Sequence, residues 1–436
     1  MPIIAIIIVF SVSLSLVLFC LPFLKGTTIR RITAVASLLA LAGTAYGLHG
    51  QAEFWQLLFL PQYPALLHRL SYFLVFSTEG ISGPMLLMFA VMVGILALHL
   101  LATNTDTLRE NRFFAWFWLS VGLGFAIFAA AHFYLLVFLW GVSVIPLFML
   151  TSGFEDERAA LAKKTLILFG GAHVLMVTGA VMAVSLSGSA DITSMQTATT
   201  TATEKASFLL LLSGGLVATG IFPFQSWIIP YAKIASIRSF ALMALVFQRL
   251  AGAYLLIRLC HDIFIMGETL RVVLFSLGFI SAIIPLAMAL AEPEPISRLA
   301  KLHLALGGMI LTGIATGTRA GIVAALILAT VGGAIMMPFL FAISHKKSLA
   351  VSSDPAFYGL AGIRLMAAFL KWQPVKGKRL FNAFNRMEKS AYTDIYQLGS
   401  KVVFTIYRPL TRLHDGVLQT YLVWVVVALI VLFLLK

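Results

Sequence analysis

Residues 207–259 read SFLLLLSGGLVATGIFPFQSWIIPYAKIASIRSFALMALVFQRLAGAYLLIRL, and they contain two apolar spans. The first span is interrupted by Gly220 and Pro223, and the second carries Gln248 and Arg249 in its middle. A proline removes a helical hydrogen bond, and a charged side chain near the bilayer centre costs at least about 2.5 kcal/mol. Both features survive at membrane depth only against protein or a water-lined cavity. The stretch therefore predicts a broken helix beside a helix with a mid-span cation, which is an arrangement typical of transport sites.

The composition of the whole chain indicates a polytopic, all-α membrane protein. Of its 436 residues, 60% are hydrophobic and only 11% are charged, whereas soluble domains carry about 25% charged residues. The net charge of +14 comes mostly from short connections between apolar spans, so we interpret it as a topology signal and not as a nucleic-acid surface. No paired carboxylates, cysteine and histidine metal cluster or phosphate-binding loop is present, so we expect no metal, no cofactor and no catalytic centre in this chain.

We predict about twelve membrane spans from apolar stretches of about 18 to 25 residues. They lie at 3–23, 32–48, 84–102, 113–131, 133–152, 165–186, 207–229, 239–259, 272–291, 299–316, 320–344 and 417–435. Lysine and arginine are concentrated after the odd-numbered spans. The positive-inside bias then places the odd connections and residues 345–416 in the cytoplasm and both termini outside. We expect the membrane to be a cell inner membrane.

Three parts of the chain follow from this pattern. Residues 1–344 are predicted to form the bundle, and residues 417–436 a C-terminal anchor. The basic segment 345–416 has apolar residues at spacings of three and four, which predicts a long amphipathic helix on the membrane surface, on other subunits or on its own bundle. The Ser/Thr-rich stretch 189–206 is expected to be a mobile loop.

Several stretches, in order along the chain, carry a resemblance. They are FSTEGISGPMLLM (76–88), FLWGVSVIPLFML (138–150), ATGIFPFQSWIIPYA (218–232), FQRLAGAYLLIR (247–258), EPISRLAKLHLALGGMILTGIATGT (294–318) and LHDGVLQTYLVW (413–424). The chain resembles the antiporter-like membrane subunits of respiratory complex I, of energy-converting hydrogenases and of multisubunit cation/proton antiporters. The resemblance implies a broken seventh helix and proton or sodium translocation coupled to electron transfer. It also implies other membrane subunits as partners, beside the lipid bilayer, with the redox chemistry located in them.

The chain departs from that family at its proton-carrying residues. Where the resemblance implies a glutamate on the fifth helix and a lysine on the seventh, this sequence has Gly141 and Ala218. The lysine position of the eighth helix is Arg249, and the histidine and lysine positions of the eleventh are Gly333 and Met337. Arginine does not deprotonate at physiological pH, so it cannot relay protons as lysine does. Two interpretations therefore compete: a subunit that moves ions through other groups, and a structural subunit that conducts nothing. A stand-alone carrier is a third.

The remaining mid-span polar residues are the candidate ion pathway: His173, Gln248, Arg249, Lys301 and His303. A lone histidine inside a bundle is more often structural than proton-carrying. Lys301 lies in the first turn of its predicted span, so we expect it to extend to the inner surface. Arg249 needs a partner, and we expect water or backbone carbonyls around it, or a carboxylate of a neighbouring subunit, because the chain offers no mid-membrane carboxylate.

Overall fold

The computed structural model describes residues 3–20, 25–49, 54–56, 74–101, 110–152 and 156–348. Within these ranges the chain forms twelve helices and four short strands, an all-α fold. The helices are α1 (Ile3–Cys20), α2 (Gly26–Gly47), α3 (Ser82–Leu101), α4 (Glu110–Ala129), α5 (Phe133–Thr151), α6 (Asp156–Ser187), α7 (Ala202–Thr219), α8 (Ile228–Ile234), α9 (Ile237–Ile263), α10 (Glu268–Ala291), α11 (Pro295–Ala315) and α12 (Arg319–Ser348). The strands are β1 (Phe54–Gln56), β2 (Val75–Ser77), β3 (Thr197–Ala198) and β4 (Phe264–Ile265).

The described helices correspond to the first eleven predicted spans. Nine of them are long and apolar enough to cross a membrane, and they are α1, α3, α4, α5, α6, α9, α10, α11 and α12. α7 and α8 together form the broken seventh span, and α2 begins with two arginines in its first turns. The predicted surface helix within 345–416 and the anchor at 417–436 lie outside the described residues, apart from the last turn of α12.

Some helices begin earlier than predicted, and the reason is local. α6 starts at Asp156, because acidic residues in a first turn interact favourably with the helix dipole. α11 starts at Pro295, because proline is well suited to the first helical position. Both starts lie in charged stretches that hydropathy alone assigns to connections.

α9 is the central helix of the bundle, and its most apolar window is entirely buried. A helix that is apolar all round packs on every side, and α9 carries small residues such as Gly252 that allow close approach. Two stretches of α9, Ala241–Gln248 and Arg258–Ile263, are π-helical. Such turns are rare and occur frequently at functional sites. Hydrophobic periodicity did not predict them.

The break after α7 has the expected position and an identifiable cause. Gly220 adopts a left-handed conformation, with φ of 71°, which is accessible to glycine without steric cost. Its amide donates to the carbonyl of Val217, and the amide of Ile221 donates to that of Leu216, a Schellman ending. Pro223 follows, and the indole Nε1 of Trp227 donates to the same Val217 carbonyl at 2.9 Å. The carbonyl groups of Leu216 and Val217, which the break leaves without helical partners, thus accept hydrogen bonds from within the protein.

The connections separate into two groups, as the alternating topology requires. Those after the first, third and seventh spans meet at one end, where Glu110 at the start of α4 contacts Arg30 of α2 and Arg238 of α9. At the same end, Lys233 pairs with Glu294 at 2.9 Å, which joins the connections after the seventh and ninth spans.

The even-numbered connections are joined by backbone hydrogen bonds at the other end. The amide of Ala131 donates to the carbonyl of Val75, and the amide of Ile192 donates to that of Ala131, both at 3.0 Å. β3 then pairs in parallel with β4. The stretch 189–206, which we expected to be a mobile loop, is therefore folded into this belt of even-numbered connections, with Ile192 and Met195 buried.

Candidate functional site

The centre of the site is a contact between Arg249 of α9 and His303 of α11. Both side chains are 1% exposed. The guanidinium Nη2 contacts the imidazole Nδ1, and it also lies 3.7 Å from the Met336 sulfur. Arginine has no acceptor atom, so Arg249 donates, and Nδ1 accepts in a neutral imidazole that carries its proton on Nε2. A second positive charge against the guanidinium would be unfavourable, which favours the same neutral form.

Several polar atoms of this centre have no hydrogen-bond partner among the described residues. They are Nε and Nη1 of Arg249, Nε2 of His303 and Nε2 of Gln248, and all three residues are buried. Sequence reasoning expected carbonyls, water or a neighbouring carboxylate at Arg249. No described carbonyl or carboxylate bonds to it, and the imidazole partner, 54 positions along the chain, was not foreseen.

Lys301 does not extend to the membrane surface, and that expectation is wrong. Its side chain is buried, and Nζ donates to Oε2 of Glu292 at 2.6 Å. The error came from the helix start: because α11 begins at Pro295, Lys301 lies beyond its first turn and points back to the carboxylate that precedes it. In the sequence, Lys301 lies between Glu294, which forms the exposed pair with Lys233, and His303, which contacts Arg249.

A second polar cluster lies near the C-terminal end of α9. The guanidinium of Arg258 donates to Ser82 Oγ at 2.7 Å, to the Tyr254 hydroxyl at 3.1 Å and to Asp262 at 2.6 Å. The other oxygen of Asp262 contacts Nδ1 of His261, whose side chain is about half exposed. Hydrogen-bonded groups thus lead from the buried Tyr254 to the half-exposed His261 at the end of the bundle that carries the even-numbered connections. The sequence analysis did not single out Arg258, and it did not predict this cluster.

Between the two clusters, the bundle is apolar. Arg249 and Tyr254 are five positions apart, about 7.5 Å along a helix. The neighbouring rings are Phe128, which packs edge to face on Tyr254, and Phe247, which packs edge to face on Phe89. Among the described residues, the groups around Lys301, Arg249 and Arg258 therefore form separate clusters and not one continuous hydrogen-bonded chain.

His173 lies away from this centre, against the position where the resemblance implies a glutamate. A Cβ atom on Gly141 would lie 2.8 Å from the imidazole Cδ2 of His173 and closer still to Nε2. The ring of His173 on α6 thus covers the place of the missing side chain on α5. Its Nδ1 has no hydrogen-bond partner among the described residues.

The other altered family positions are filled by close packing. Ala218 is fully buried, and a Cβ on Gly252 of α9 would lie 3.1 Å from the Ala218 Cβ. A Cβ on Gly333 would lie 2.9 Å from the Leu245 carbonyl, in the π-helical part of α9. Met337 is also fully buried. At these positions the present side chains are therefore buried against neighbouring helices.

Glu110 is a charged residue that sequence reasoning overlooked. It is completely buried at the start of α4, and Arg30 and Arg238 contact the same oxygen at 3.0 Å and 3.1 Å. The sequence did contain a signal for this cluster. Glu110 lies at the start of one span, and Arg30 and Arg238 lie at the starts of two others. Across the described residues, no group of three or more histidine, cysteine, aspartate or glutamate side chains forms a possible metal site.

The comparisons with known proteins decide the family. The sequence model described as "NADH:quinone oxidoreductase/Mrp antiporter, TM" matches residues 130–375, more than half of the chain. The chain belongs to this family. It is thus a polytopic antiporter-like subunit, and the family region contains the break, Arg249, Lys301 and His303.

Individual relatives agree with this assignment. The chain is 25% identical over 287 residues to a protein of Nostoc sp. named "NAD(P)H-quinone oxidoreductase chain 4 1", a match covering 64% of this chain and 52% of the relative. The chain thus spans about half the length of the curated relatives it matches.

Two solved structures show the same fold. A chain of the membrane-bound sulfane sulfur reductase, an archaeal respiratory membrane complex, aligns with a TM-score of 0.66 at 15% identity, over 79% of this chain and 71% of that one. A chain of respiratory complex I from Thermus thermophilus aligns with a TM-score of 0.62 at 17% identity, over 90% and 87%. The chain therefore has the same fold as these two chains.

Proposed function

We propose that this chain is a membrane subunit of a multisubunit redox complex, of complex I or hydrogenase type, and that it contributes to proton translocation through the Arg249–His303 centre. The observation that carries the proposal is this buried pair, on the central helix and on α11, with ionic clusters towards both ends of the bundle. Electron transfer resides in other subunits, in line with the relatives named for quinone oxidoreductases and the solved respiratory complexes.

His303 is the group that binds and releases the proton at the centre. Arg249 keeps its charge throughout, so it acts as a fixed positive group that makes a protonated His303 short-lived. The Lys301–Glu292 ion pair lies close to His303 along α11, so a change in the position of these charges changes the stability of the protonated imidazole. The cycle thus has a titrating imidazole in place of a titrating lysine.

The proposal favours protons over sodium. A fixed guanidinium at the centre opposes a second cation, whereas a proton moves by exchange along hydrogen bonds. Sodium also prefers several oxygen ligands, and in the part of the chain that the structure describes no acidic cluster of the kind that holds a metal is present. For proton exchange to reach the cluster around Arg258, water must enter between Arg249 and Tyr254.

A specific observation supports the alternative, a structural subunit that does not conduct. Neighbouring atoms lie close to Gly141, Ala218 and Gly333. The space of a family side chain at these positions is thus filled by protein and not by a water-sized cavity. A subunit that only bridges neighbours would keep this packing and would not need His303 to titrate.

The orientation and the location belong to the same proposal. The odd connections face the cytoplasm, and with them the cluster of Arg30, Glu110 and Arg238. The belt of even-numbered connections faces the opposite side of a cell inner membrane. The support is the excess of basic residues at the end of the odd connections.

Reconstitution of the intact complex distinguishes the two functions. The complex that co-purifies with the tagged chain is placed in vesicles, and proton uptake is measured with a pH dye alongside electron transfer. We expect His303→Gln to lower proton uptake per electron, whereas the control His99→Gln, at a histidine of α3 that bonds to its own helix, leaves it unchanged. Unchanged uptake in His303→Gln would favour the structural subunit. Recovery of the tagged chain without any partner would remove the subunit proposal altogether.

A further inference from the structure

We propose that a groove between α11 and α12 binds one acyl chain of a phospholipid. The proposal concerns the surface of the bundle, and it does not depend on proton translocation by this subunit. The argument rests on the lining, the dimensions and the depth of the groove. Together these features favour a hydrocarbon chain over water and over a transmembrane helix.

The lining of the groove is apolar. Leucines of α11 form one wall, and Ile, Leu, Val, Met and Phe side chains of α12 form the rest together with Gly332. Ile327, Val331 and Ile335 line the groove and are 50%, 47% and 55% exposed, so the groove is open at the surface of the bundle. Apolar walls offer water no hydrogen-bond partner, and apolar cavities of proteins stay dry. The lining therefore suits a hydrocarbon chain.

The groove is long and narrow. Its lining residues on α12 extend from Ile327 to Phe339, which is about 18 Å along a helix. A volume of about 330 Å³ over that length gives a mean cross-section of about 18 Å², which is a width of about 5 Å. Hydrocarbon groups in contact lie about 4 Å apart, whereas a helix with its side chains is about 10 to 12 Å across. One extended acyl chain fits these dimensions, and a helix does not.

The groove lies mostly in one half of the membrane. The apolar span of α12 is Arg319–Ile343. Phe339 is about 6 Å from the C-terminal end of this span, whereas Ile327 is about 12 Å from its N-terminal end. The hydrocarbon core of a bilayer is about 30 Å thick, so one leaflet contributes about 15 Å. The length and position of the groove thus match an acyl chain that enters from the leaflet at the C-terminal end of α12.

Close contact distinguishes this chain from the surrounding lipid. Lipid tails are as apolar as leucine, so the hydrophobic effect does not favour the groove over the bilayer. Dispersion does, because a groove touches a chain on more sides than an exposed helix face, and an empty groove loses those contacts. Gly332 and Met336 line the groove and also adjoin the Arg249 guanidinium, with the Met336 sulfur 3.7 Å from Nη2. The bound chain therefore packs on two residues that separate Arg249 from lipid.

Cryo-electron microscopy of the intact complex tests the proposal. The tagged complex is placed in nanodiscs of phosphatidylcholine that carries bromine in the middle of one acyl chain, with the unbrominated lipid as reference. We expect chain-shaped density in the groove and a bromine signal there that is stronger than at the face of α6 around Val174, which is 64% exposed. Equal signals at both places would show bulk lipid only and would overturn the site.

Two variants of α12 make the test specific. Val331→Trp places an indole in the groove, and we expect the chain density to disappear. Val323→Trp is the matched control, because Val323 lies two turns away on the same face of α12, is 53% exposed and lies outside the lining of the groove, so the density stays. An empty groove in the wild type, a helix in the groove or density that survives Val331→Trp overturns the proposal. None of these outcomes bears on proton uptake by His303.

Discussion

Replacing Glu110 by glutamine is expected to destabilise the bundle severely. Glu110 is fully buried, and it contacts Arg30, which is 3% exposed, at 3.0 Å and Arg238, which is 23% exposed, at 3.1 Å. Each contact corresponds to about 5 kcal/mol of Coulomb attraction at an effective dielectric constant of about 20. Much of this is offset by the desolvation of the three groups. What the substitution removes is the carboxylate contact of the buried Arg30, and breaking such a buried pair costs about 3 to 5 kcal/mol.

The exposed pair at the same end of the bundle provides the control. Lys233 and Glu294 are 45% and 48% exposed and lie 2.9 Å apart. Glu294→Gln makes the same chemical change in a hydrated pair, so we expect a loss below about 1 kcal/mol. The free energy of unfolding is measured for both variants by dodecyl sulfate titration in dodecyl maltoside micelles. If Glu110→Gln loses no more stability than Glu294→Gln, the interpretation of the buried cluster is wrong.

Three further predictions concern the other contacts. Gly141→Ala costs about 1 to 3 kcal/mol of unfolding free energy because its Cβ meets the His173 ring; in a His173→Ala background most of this loss disappears, and an equal loss in both backgrounds would contradict the contact. Lys301→Met costs about 3 to 5 kcal/mol because the buried Glu292 loses its ammonium partner. The double variant Lys301→Met with Glu292→Gln recovers most of this loss, and a further loss in the double variant would refute the pair. Burial lowers the pKa of His132, in the belt of even-numbered connections, although Asp191 opposes the shift. The contribution of His132 to stability is therefore present above about pH 6.5 and declines below it. We expect the thermal midpoint of His132→Gln to fall less between pH 8 and 5.5 than that of the wild type, and equal falls would contradict the lowered pKa.

The sequence was sufficient for the bundle because its signals are local. Apolar runs of spanning length and the break at Gly220 and Pro223 each depend on neighbouring residues only, and both agree with the structure. The helix starts at Asp156 and Pro295 were misplaced, because hydropathy does not register favourable first-turn residues.

The candidate site was only partly predictable because its contacts join distant positions. Arg249 was singled out by its cost in a membrane, but its partner His303 depends on how α11 packs against α9. The same holds for Lys301, whose predicted exposure was wrong, and for Glu110, which was not considered. Short polar strands such as β3 carry no apolar periodicity, so the belt they form could not be foreseen.

The most direct test of the central claim is proton uptake by the reconstituted complex in a double-variant cycle of Arg249→Met and His303→Gln. If the two side chains act as one unit, each single variant lowers uptake per electron to the same background and the double variant lowers it no further. Independent, multiplying effects would contradict the pair, and uptake at the wild-type level in all three variants would show that protons do not pass through this centre.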